Sequence, residues 1–176
     1  WPNFFERLSK YWTQGQIPTY LVTNHLKPNF ENVTNLAVGD DIDWSSNLLN
    51  VLDKIDAEYV FIILEDVYLN KEIETDYLNQ ALVFLDAVKP NYLNTKALPF
   101  PRGAKISSLI REVDKGTHYR ASVANAFWKK EALMGLISPG ESPWEFERRG
   151  SERSNAINKF YGTTKNMLGY EHVIIG

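Results

Sequence analysis

The amino-acid sequence predicts a single α/β domain over residues 1–176. In the first half, helical and strand-like patterns alternate in the order helix, strand, strand, helix, strand, helix. The continuous apolar segment 59–64 follows a predicted helix, which is typical of a strand in a parallel sheet covered on both faces. The second half is less regular, and no repeat or linker separates the two halves. We therefore expect one domain with a mixed second half.

The first elements follow from periodicity. Apolar side chains recur at helical spacing over residues 2–13, and Gly15 is expected to end that helix. Residues 19–23 and 36–38 are short segments of apolar and β-branched side chains, so both are predicted strands. Because the chain opens on the start of a helix without an initiator methionine, we expect further chain before it.

Capping residues place the next two helices. Asp43 or Ser45 is expected to cap a helix that leads into the strand at residues 59–64. Thr75 can cap the helix after that strand, and Pro90 ends it.

The second half carries weaker patterns. Strands are predicted near residues 91–98, 106–111 and 121–127, and helices near 130–137 and 143–160.

Composition excludes several classes of function. The formal net charge is −3 and no run of Lys or Arg forms a basic stripe, so a nucleic-acid partner is not expected. The absence of cysteine excludes disulfide scaffolds, zinc ribbons and thiol nucleophiles, which suits the cytoplasm. No apolar run approaches the ~20 residues needed to span a bilayer. The three histidines are too scattered for a metal-ligand spacing, and no Gly-rich phosphate loop is present.

The strongest local signal is the acidic pair Glu65–Asp66 at the end of the apolar strand 59–64. In open α/β folds, ligands bind at the carboxyl edge of the sheet. Adjacent carboxylates repel each other, and a divalent cation that carries phosphate oxygens is a common reason to keep them together. The alternative is that Asp66 caps a turn and Glu65 is solvated.

A second cluster, residues 39–45, also lies between a predicted strand and a predicted helix. Asp41 and Asp43 are candidates for contact with a ribose, a sugar hydroxyl or the metal. For Asp43 the favoured alternative is a helix N-cap, whereas Asp41 is harder to explain structurally.

A third cluster, residues 139–151, is a loop that turns into a helix and combines carboxylates with an aromatic residue and two arginines. Sugar sites use this chemistry, because an apolar sugar face can stack on an indole and a carboxylate can accept the proton of an attacking hydroxyl. The alternative is a solvated helix start in which Trp144 is a core anchor.

Several segments, taken in order, resemble bacterial glycosyltransferases of polysaccharide or capsule assembly. They are residues 20–24, 39–45, the strand into Leu64–Glu65–Asp66, residues 119–122 leading to Trp128–Lys129–Lys130, and residues 139–151. The likeness spans nearly the whole chain, and the order and spacing of the segments carry it.

The resemblance implies a GT-A fold, a Rossmann-like sheet with helices on both faces. The first strand of that fold, which holds the nucleotide base, is expected before Trp1. In such enzymes an Asp-x-Asp or Glu-Asp motif holds Mn²⁺ or Mg²⁺ on the nucleotide diphosphate. Asp66, helped by Glu65, would play that part here, although Leu64 departs from a strict Asp-x-Asp.

The resemblance also implies that Glu141 or Glu145 is the catalytic base. A single displacement would invert the anomeric centre, and retention is the alternative, because the stereochemistry does not follow from these residues. Trp144, with charge from Arg120, Arg148 or Arg149, would bind substrate. A nucleotide-sugar donor is expected, a UDP-sugar in the first place, with a saccharide or lipid-linked acceptor. The enzyme would act in the cytoplasm, with peripheral association at the inner membrane face.

Two other functions fit the same residues. A sugar nucleotidyltransferase shares this general fold but relies on a Gly-rich basic loop near its first strand. A carbohydrate-binding or scaffold protein would keep the fold without catalysis. Hydrolysis of a sugar nucleotide separates the enzymes from a binder, because a binder shows none even with metal added.

Overall fold

The computed structural model of the protein describes residues 1–13 and 17–172. The helices are α1 (Pro2–Tyr11), α2 (Trp44–Lys54), α3 (Thr75–Val88), α4 (Lys130–Leu136), α5 (Pro143–Glu145) and α6 (Ser151–Ser154), and a π-helical turn (Phe146–Gly150) joins the last two. The strands are β1 (Thr19–Thr23), β2 (Val33–Ala37), β3 (Tyr59–Ile62), β4 (Val67–Leu69), β5 (Tyr92–Asn94), β6 (Ile110–Glu112), β7 (Ala126–Lys129), β8 (Phe160–Thr163) and β9 (Tyr170–His172).

The central sheet has five strands in the order β3-β7-β5-β8-β6. β5 pairs with β8 in parallel, β7 is antiparallel to both of its neighbours, and β6 is antiparallel to β8. β1 pairs with β2 in parallel, and β4 pairs with β9 in antiparallel register. The fold is therefore α/β with a mixed sheet.

The predicted parallel pairing of β3 is wrong. Within the described residues, Tyr59 to Ile62 pair antiparallel with Lys129 to Ala126. The apolar run has another cause. Val60 and Ile62 pack into the core on one face of the sheet, and Tyr59 and Phe61 into the core on the other. A strand covered on both faces is apolar throughout, whichever way its neighbour runs.

β3, β5 and β8 nevertheless run in the same direction, since β3 and β5 are both antiparallel to β7 and β8 is parallel to β5. Their carboxyl ends share one side of the sheet, which we call the carboxyl edge.

Helices cover both faces of this sheet, as predicted. On one face α2, α4 and the π-helical turn pack against Tyr92, Trp128 and Phe160. On the other face α1 and α3 pack against Leu93 and Phe127. Neighbouring residues of one strand thus enter opposite cores, which follows from the period of two along a strand.

The predicted helix starts are partly confirmed. Asp43 caps α2, and its carboxylate accepts the N–H of Ser46. Thr75 is the first residue of α3 rather than its cap, since Glu74 holds the N-cap position. α1 ends at Tyr11, and Gly15 lies outside the described residues. None of the helices in residues 1–13 and 17–172 combines the length and the apolarity needed to cross a membrane.

The last predicted helix is too long. Its helical part ends at Ser154, and Phe160 begins β8, which sequence patterns did not reveal. Gly162 in the middle of β8 obscures the strand pattern, and the burial of its neighbour Thr163 depends on packing rather than on hydropathy.

Candidate functional site

Backbone hydrogen bonds join the segments that meet at the carboxyl edge. The N–H of Asn125, just before β7, donates to the carbonyl of Ile62 at the end of β3 over 2.9 Å. The carbonyl of Asn125 accepts the N–H of Thr95, just after β5, at 3.1 Å. The exit of β3, the exit of β5 and the entry of β7 therefore lie side by side.

Glu65 and Asp66 follow β3 at this edge and both are exposed. The carboxylate of Asp66 lies 3.9 Å from Nδ1 of His172, because β4 and β9 pair with Val67 opposite His172. The sequence does not predict this neighbour, since the two residues are far apart in the chain. The described parts of the chain contain no group of three His, Cys, Asp or Glu arranged to hold a metal.

In the second cluster, residues 39–45, Asp43 has a structural role. The carboxylate of Asp43 accepts hydrogen bonds from Ser45 Oγ at 2.6 Å, from the N–H and Oγ of Ser46 and from the N–H of Gly140. These bonds, that from Ser45 first, hold the pKa of Asp43 far below its usual range. The N-cap alternative therefore describes Asp43 better than the predicted ligand contact.

Asp41 remains on the exposed side of the same cluster. Its Oδ1 accepts a hydrogen bond from the side-chain amide of Asn47 at 2.6 Å, and the residue is exposed. Asp41 thus keeps the accessibility that a ribose or sugar contact requires.

The structure joins the second cluster to the third. The N–H of Gly140 donates to Asp43 at 3.1 Å, and the N–H of Glu141 donates to Ser45 Oγ at 3.0 Å. Trp44 packs against Phe146 with ring centroids 5.8 Å apart. Residues 139–151 are thereby fixed beside the start of α2.

Glu141 is a correction to the predicted base. Only 3% of it is exposed, and its two carboxylate oxygens accept both terminal nitrogens of Arg153 at 2.8 and 2.6 Å. The bonds from Arg153 lower the pKa of Glu141, which weakens it as a proton acceptor. Glu141 therefore anchors the loop to α6, a structural role that its burial and pairing favour over that of the base.

Glu145 is half-buried, and its carboxylate is hydrogen-bonded. With Ser142 it forms a capping box at the start of α5, in which Oε2 of Glu145 accepts the N–H and Oγ of Ser142, each at 3.0 Å. Those bonds lower the pKa of Glu145. Arg149 lies 3.6 Å from Oε1, and Arg148 is exposed on the same turn.

Trp144 is not a core anchor. Its side chain is 78% exposed at the beginning of α5, directly beside these charged residues. An exposed indole of this size suits stacking on an apolar sugar face.

Arg120 is a second correction. It is 1% exposed, so its side chain does not reach a substrate. Its guanidinium donates to backbone carbonyls of Val113 and Ile157 and to Oγ of Ser154, and it lies over the ring of Phe160 at 4.1 Å. Arg120 holds the segment before β7 against the segment after α6.

Glu147 is a carboxylate at this edge that sequence reasoning passed over. Its Oε1 accepts Oγ of Ser122 at 2.5 Å and the N–H of Val123 at 3.2 Å. Among the described residues no hydrogen bond to its Oε2 is observed, and the residue is only half-buried. The sequence shows only that Glu147 lies two residues after Glu145. It does not show the contacts with Ser122 and Val123, which lie 25 and 24 positions away.

Asn125 and Lys96 complete the site. Asn125 is 1% exposed and in a left-handed conformation (φ 54°), and neither atom of its side-chain amide meets a hydrogen-bond partner in the described chain. A buried polar group of this kind is rare in native proteins and usually binds a water, an ion or a ligand. Burial lowers the pKa of Lys96, and the nearby charge of Glu147 opposes that shift.

Comparisons with known proteins bear on the fold. No family model and no curated protein sequence matches the chain. The crystal structure of S. aureus TarS, residues 1–349, superposes with a TM-score of 0.60 at 16% sequence identity. The match covers 96% of this chain and 55% of that one, so the chain spans about half of the TarS structure. At this identity the likeness concerns the fold alone.

Proposed function

We propose that this chain is a GT-A type glycosyltransferase domain that moves a sugar from a nucleotide-sugar donor to an acceptor hydroxyl in bacterial polysaccharide or capsule assembly. The observations that carry the proposal are two. Residues 39–45 are hydrogen-bonded to residues 139–151, and Glu147 of the latter is bound by Ser122 and Val123, just before β7. Glu65 and Asp66 follow β3, whose end is hydrogen-bonded to Asn125 at the same edge of the sheet. The glycosyltransferase-like fold supports the reaction class.

Glu65 and Asp66 suit the diphosphate of the donor. Mg²⁺ is usually held by one or two carboxylates together with substrate phosphates rather than by a protein cage. Two exposed carboxylates, with His172 3.9 Å from Asp66, fit that pattern, for Mn²⁺ or Mg²⁺. When bound, the metal would neutralise charge on the leaving diphosphate. Lys96 is a further cation at the same edge for a phosphate oxygen.

Trp144 and Glu147 suit the sugar side of the site. Trp144 would stack on the sugar or the acceptor, with Arg148 and Arg149 adding positive charge. The acceptor hydroxyl oxygen would bond to the anomeric carbon as the bond from that carbon to the diphosphate oxygen breaks. Its proton would pass to Oε2 of Glu147, whose Oε1 is already held by Ser122 and Val123. Glu145 is the competing base.

The acceptor we propose is a saccharide or a lipid-linked saccharide, and the donor a nucleotide-sugar, a UDP-sugar in the first place. The reaction would take place in the cytoplasm, including the inner face of the membrane.

The test is thermal unfolding of the full chain with UDP-, GDP-, CMP- and dTDP-sugars, with and without Mn²⁺, together with assays of sugar-nucleotide hydrolysis and sugar transfer. A ligand that binds the native state raises the melting temperature by mass action. We expect a metal-dependent rise with one nucleotide and measurable turnover, both lost in Asp66→Asn. Asp53→Asn, on the exposed face of α2, is the matched control and should behave as wild type.

Binding without turnover would instead favour the carbohydrate-binding protein, and full turnover in Asp66→Asn would remove the diphosphate assignment. A nucleotidyltransferase would be recognised by release of pyrophosphate from a nucleoside triphosphate.

A further inference from the structure

A single segment, residues 95–109 between β5 and β6, collects exposed apolar side chains and positive charge. Leu98 is 75% exposed, Phe100 50% and Ile106 47%. The segment also contains Lys96, Arg102 and Lys105, of which the last two are exposed. The whole chain has 22 acidic residues and a net charge of −3, yet none of its Asp or Glu lies in this segment.

The segment is held firmly, so the exposure of its apolar residues is a feature of the fold. The N–H of Gly103 donates to the carbonyl of Glu112, and the N–H of Glu112 donates to the carbonyl of Ala104. Pro101 and Leu109 are buried. These contacts hold the middle of the segment and its end before β6 against the rest of the fold.

The exposed residues lie at the carboxyl edge. The side chain of Asn94, the last residue of β5, donates to the carbonyl of Leu98 at 3.0 Å. The N–H of Ile106 donates to the carbonyl of Ile110, which pairs with Thr163 at the end of β8. β5, β8 and β6 are adjacent strands spaced about 5 Å apart. Leu98 and Ile106 are therefore anchored at the same end of three neighbouring strands.

We propose that this segment is a docking surface for an anionic lipid bilayer. Leu98, Phe100 and Ile106 enter the boundary between headgroups and acyl chains, while Arg102 and Lys105 contact lipid phosphates. A nucleic acid would match the charge but leave the apolar side chains uncovered. The net negative charge of the whole chain favours this one orientation, because an anionic surface repels the rest of the molecule.

The proposed lipid contact rests on the proposed function only for its biological role. The binding itself does not depend on glycosyl transfer. Docking by this segment turns the carboxyl edge towards the membrane, which is where the hydroxyl of a lipid-linked acceptor lies. Binding to lipid is measured without substrate, so it can fail or succeed independently of glycosyl transfer.

The test is co-sedimentation of the full chain with vesicles of phosphatidylcholine alone or mixed with phosphatidylglycerol. We expect binding only to the mixed vesicles and a loss of binding at high salt. Each cation near an anionic surface contributes roughly a fivefold gain in partitioning, so the double variant R102Q/K105Q should bind about 25-fold more weakly. The triple variant L98S/F100S/I106S should lose binding to mixed vesicles.

The matched control is the double variant L82S/V83S, which removes two exposed apolar side chains from α3. It should bind vesicles as wild type does. Equal binding to both vesicle types, equal loss in the control variant, or no binding with concentration-dependent dimers in size-exclusion chromatography would each overturn the proposal. Circular dichroism and the turnover of a soluble acceptor show that the variants remain folded.

A chain that binds the mixed vesicles but shows no glycosyl transfer would contradict the proposed function and leave the proposed lipid contact intact.

Discussion

Glu145 and Glu147 are two positions apart, yet they have different partners. Glu145 closes the capping box with Ser142, whereas Oε1 of Glu147 is bound by Ser122 at the carboxyl edge. Glu147→Gln keeps an acceptor oxygen for Ser122 but cannot take up a proton. We expect kcat to fall by about 10²- to 10⁴-fold, the usual contribution of a general base, with little change in KM for the donor. Steady-state transfer assays measure both constants.

Glu145→Gln is the control for that experiment and should keep most of the activity. If Glu145→Gln lost activity and Glu147→Gln did not, the base would be Glu145, as the sequence resemblance implies.

The buried side-chain amide of Asn125 meets no hydrogen-bond partner within the described chain. Asn125→Gly keeps the left-handed backbone (φ 54°) and removes both unsatisfied polar atoms. The removal of such atoms recovers ~1–3 kcal/mol, which offsets the ~0.5–1 kcal/mol entropic cost of glycine. We expect an unchanged or higher free energy of unfolding, measured in urea. A loss above ~2 kcal/mol would show that Asn125 is structural instead.

Sequence patterns locate residues better than they assign roles. The position of Asp66 after a buried strand and the cap at Asp43 depend on neighbouring residues, so both could be read from the sequence. The burial of Arg120 and the bond from Ser122 to Glu147 depend on contacts across 34 and 25 positions. Hydropathy and spacing carry no information about such contacts, so these two roles were missed.

At the scale of elements, the pair Glu141–Arg153 ties the loop before α5 to α6. The bonds from Arg153 lower the pKa of Glu141 in the folded state, so the stability from this pair is present above its ordinary pKa of 4.5 and is lost as pH falls through the folded value. We expect Glu141→Gln to be less stable by ~1.5–3 kcal/mol at neutral pH, the usual contribution of hydrogen bonds to a charged group, since Glu141 is buried while 34% of the Arg153 side chain is exposed. Urea unfolding between neutral and acidic pH measures the difference, which should shrink towards low pH.

Glu152→Gln removes an exposed carboxylate from the same helix, α6, and serves as the control. Its stability should follow wild type at every pH. A difference between Glu141→Gln and wild type that stayed constant with pH would contradict a role for the ionised carboxylate.

Helices are easier to predict than strand direction in this chain. The apolar faces of α1, α2 and α3 repeat at helical spacing, and all three helices form. The apolar pattern of β3 reports that both of its faces are covered, but contains nothing about the direction of β7. β8 is missed because it is short and contains Gly162.

At the scale of the whole molecule, a donor bound at the carboxyl edge should slow hydrogen exchange there and not elsewhere. We expect stronger protection of backbone amides in residues 63–66, 95–97 and 122–125 when the nucleotide-sugar and Mn²⁺ are present, because the ligand suppresses local opening. Residues 88–92, at the opposite end of β5, should be unchanged. Mass-spectrometric exchange with and without ligand measures this, and uniform protection of the whole chain would speak against a local site.

The overall architecture follows from the sequence in outline. Alternating helix and strand patterns predict an α/β fold with both faces covered, and this is confirmed. The separate pairing of β1 with β2 and the mixed order of the central sheet depend on contacts between strands that are far apart in the sequence. Local patterns do not predict them. The match to TarS at 16% identity shows that the backbone arrangement is shared where few side chains are.

The π-helical turn Phe146–Gly150 acts as a rotational offset between two short α-helices. One residue of an α-helix corresponds to about 100° of rotation, so the loss of a single residue from this turn would twist Trp144 and Glu145 around the helix axis relative to Ser151. π-helical turns occur often at functional sites, where such an offset aims side chains. A one-residue deletion here would leave the segment helical but would turn Trp144 and Glu145 away from their present neighbours. The length of this turn therefore determines the direction in which these two side chains point.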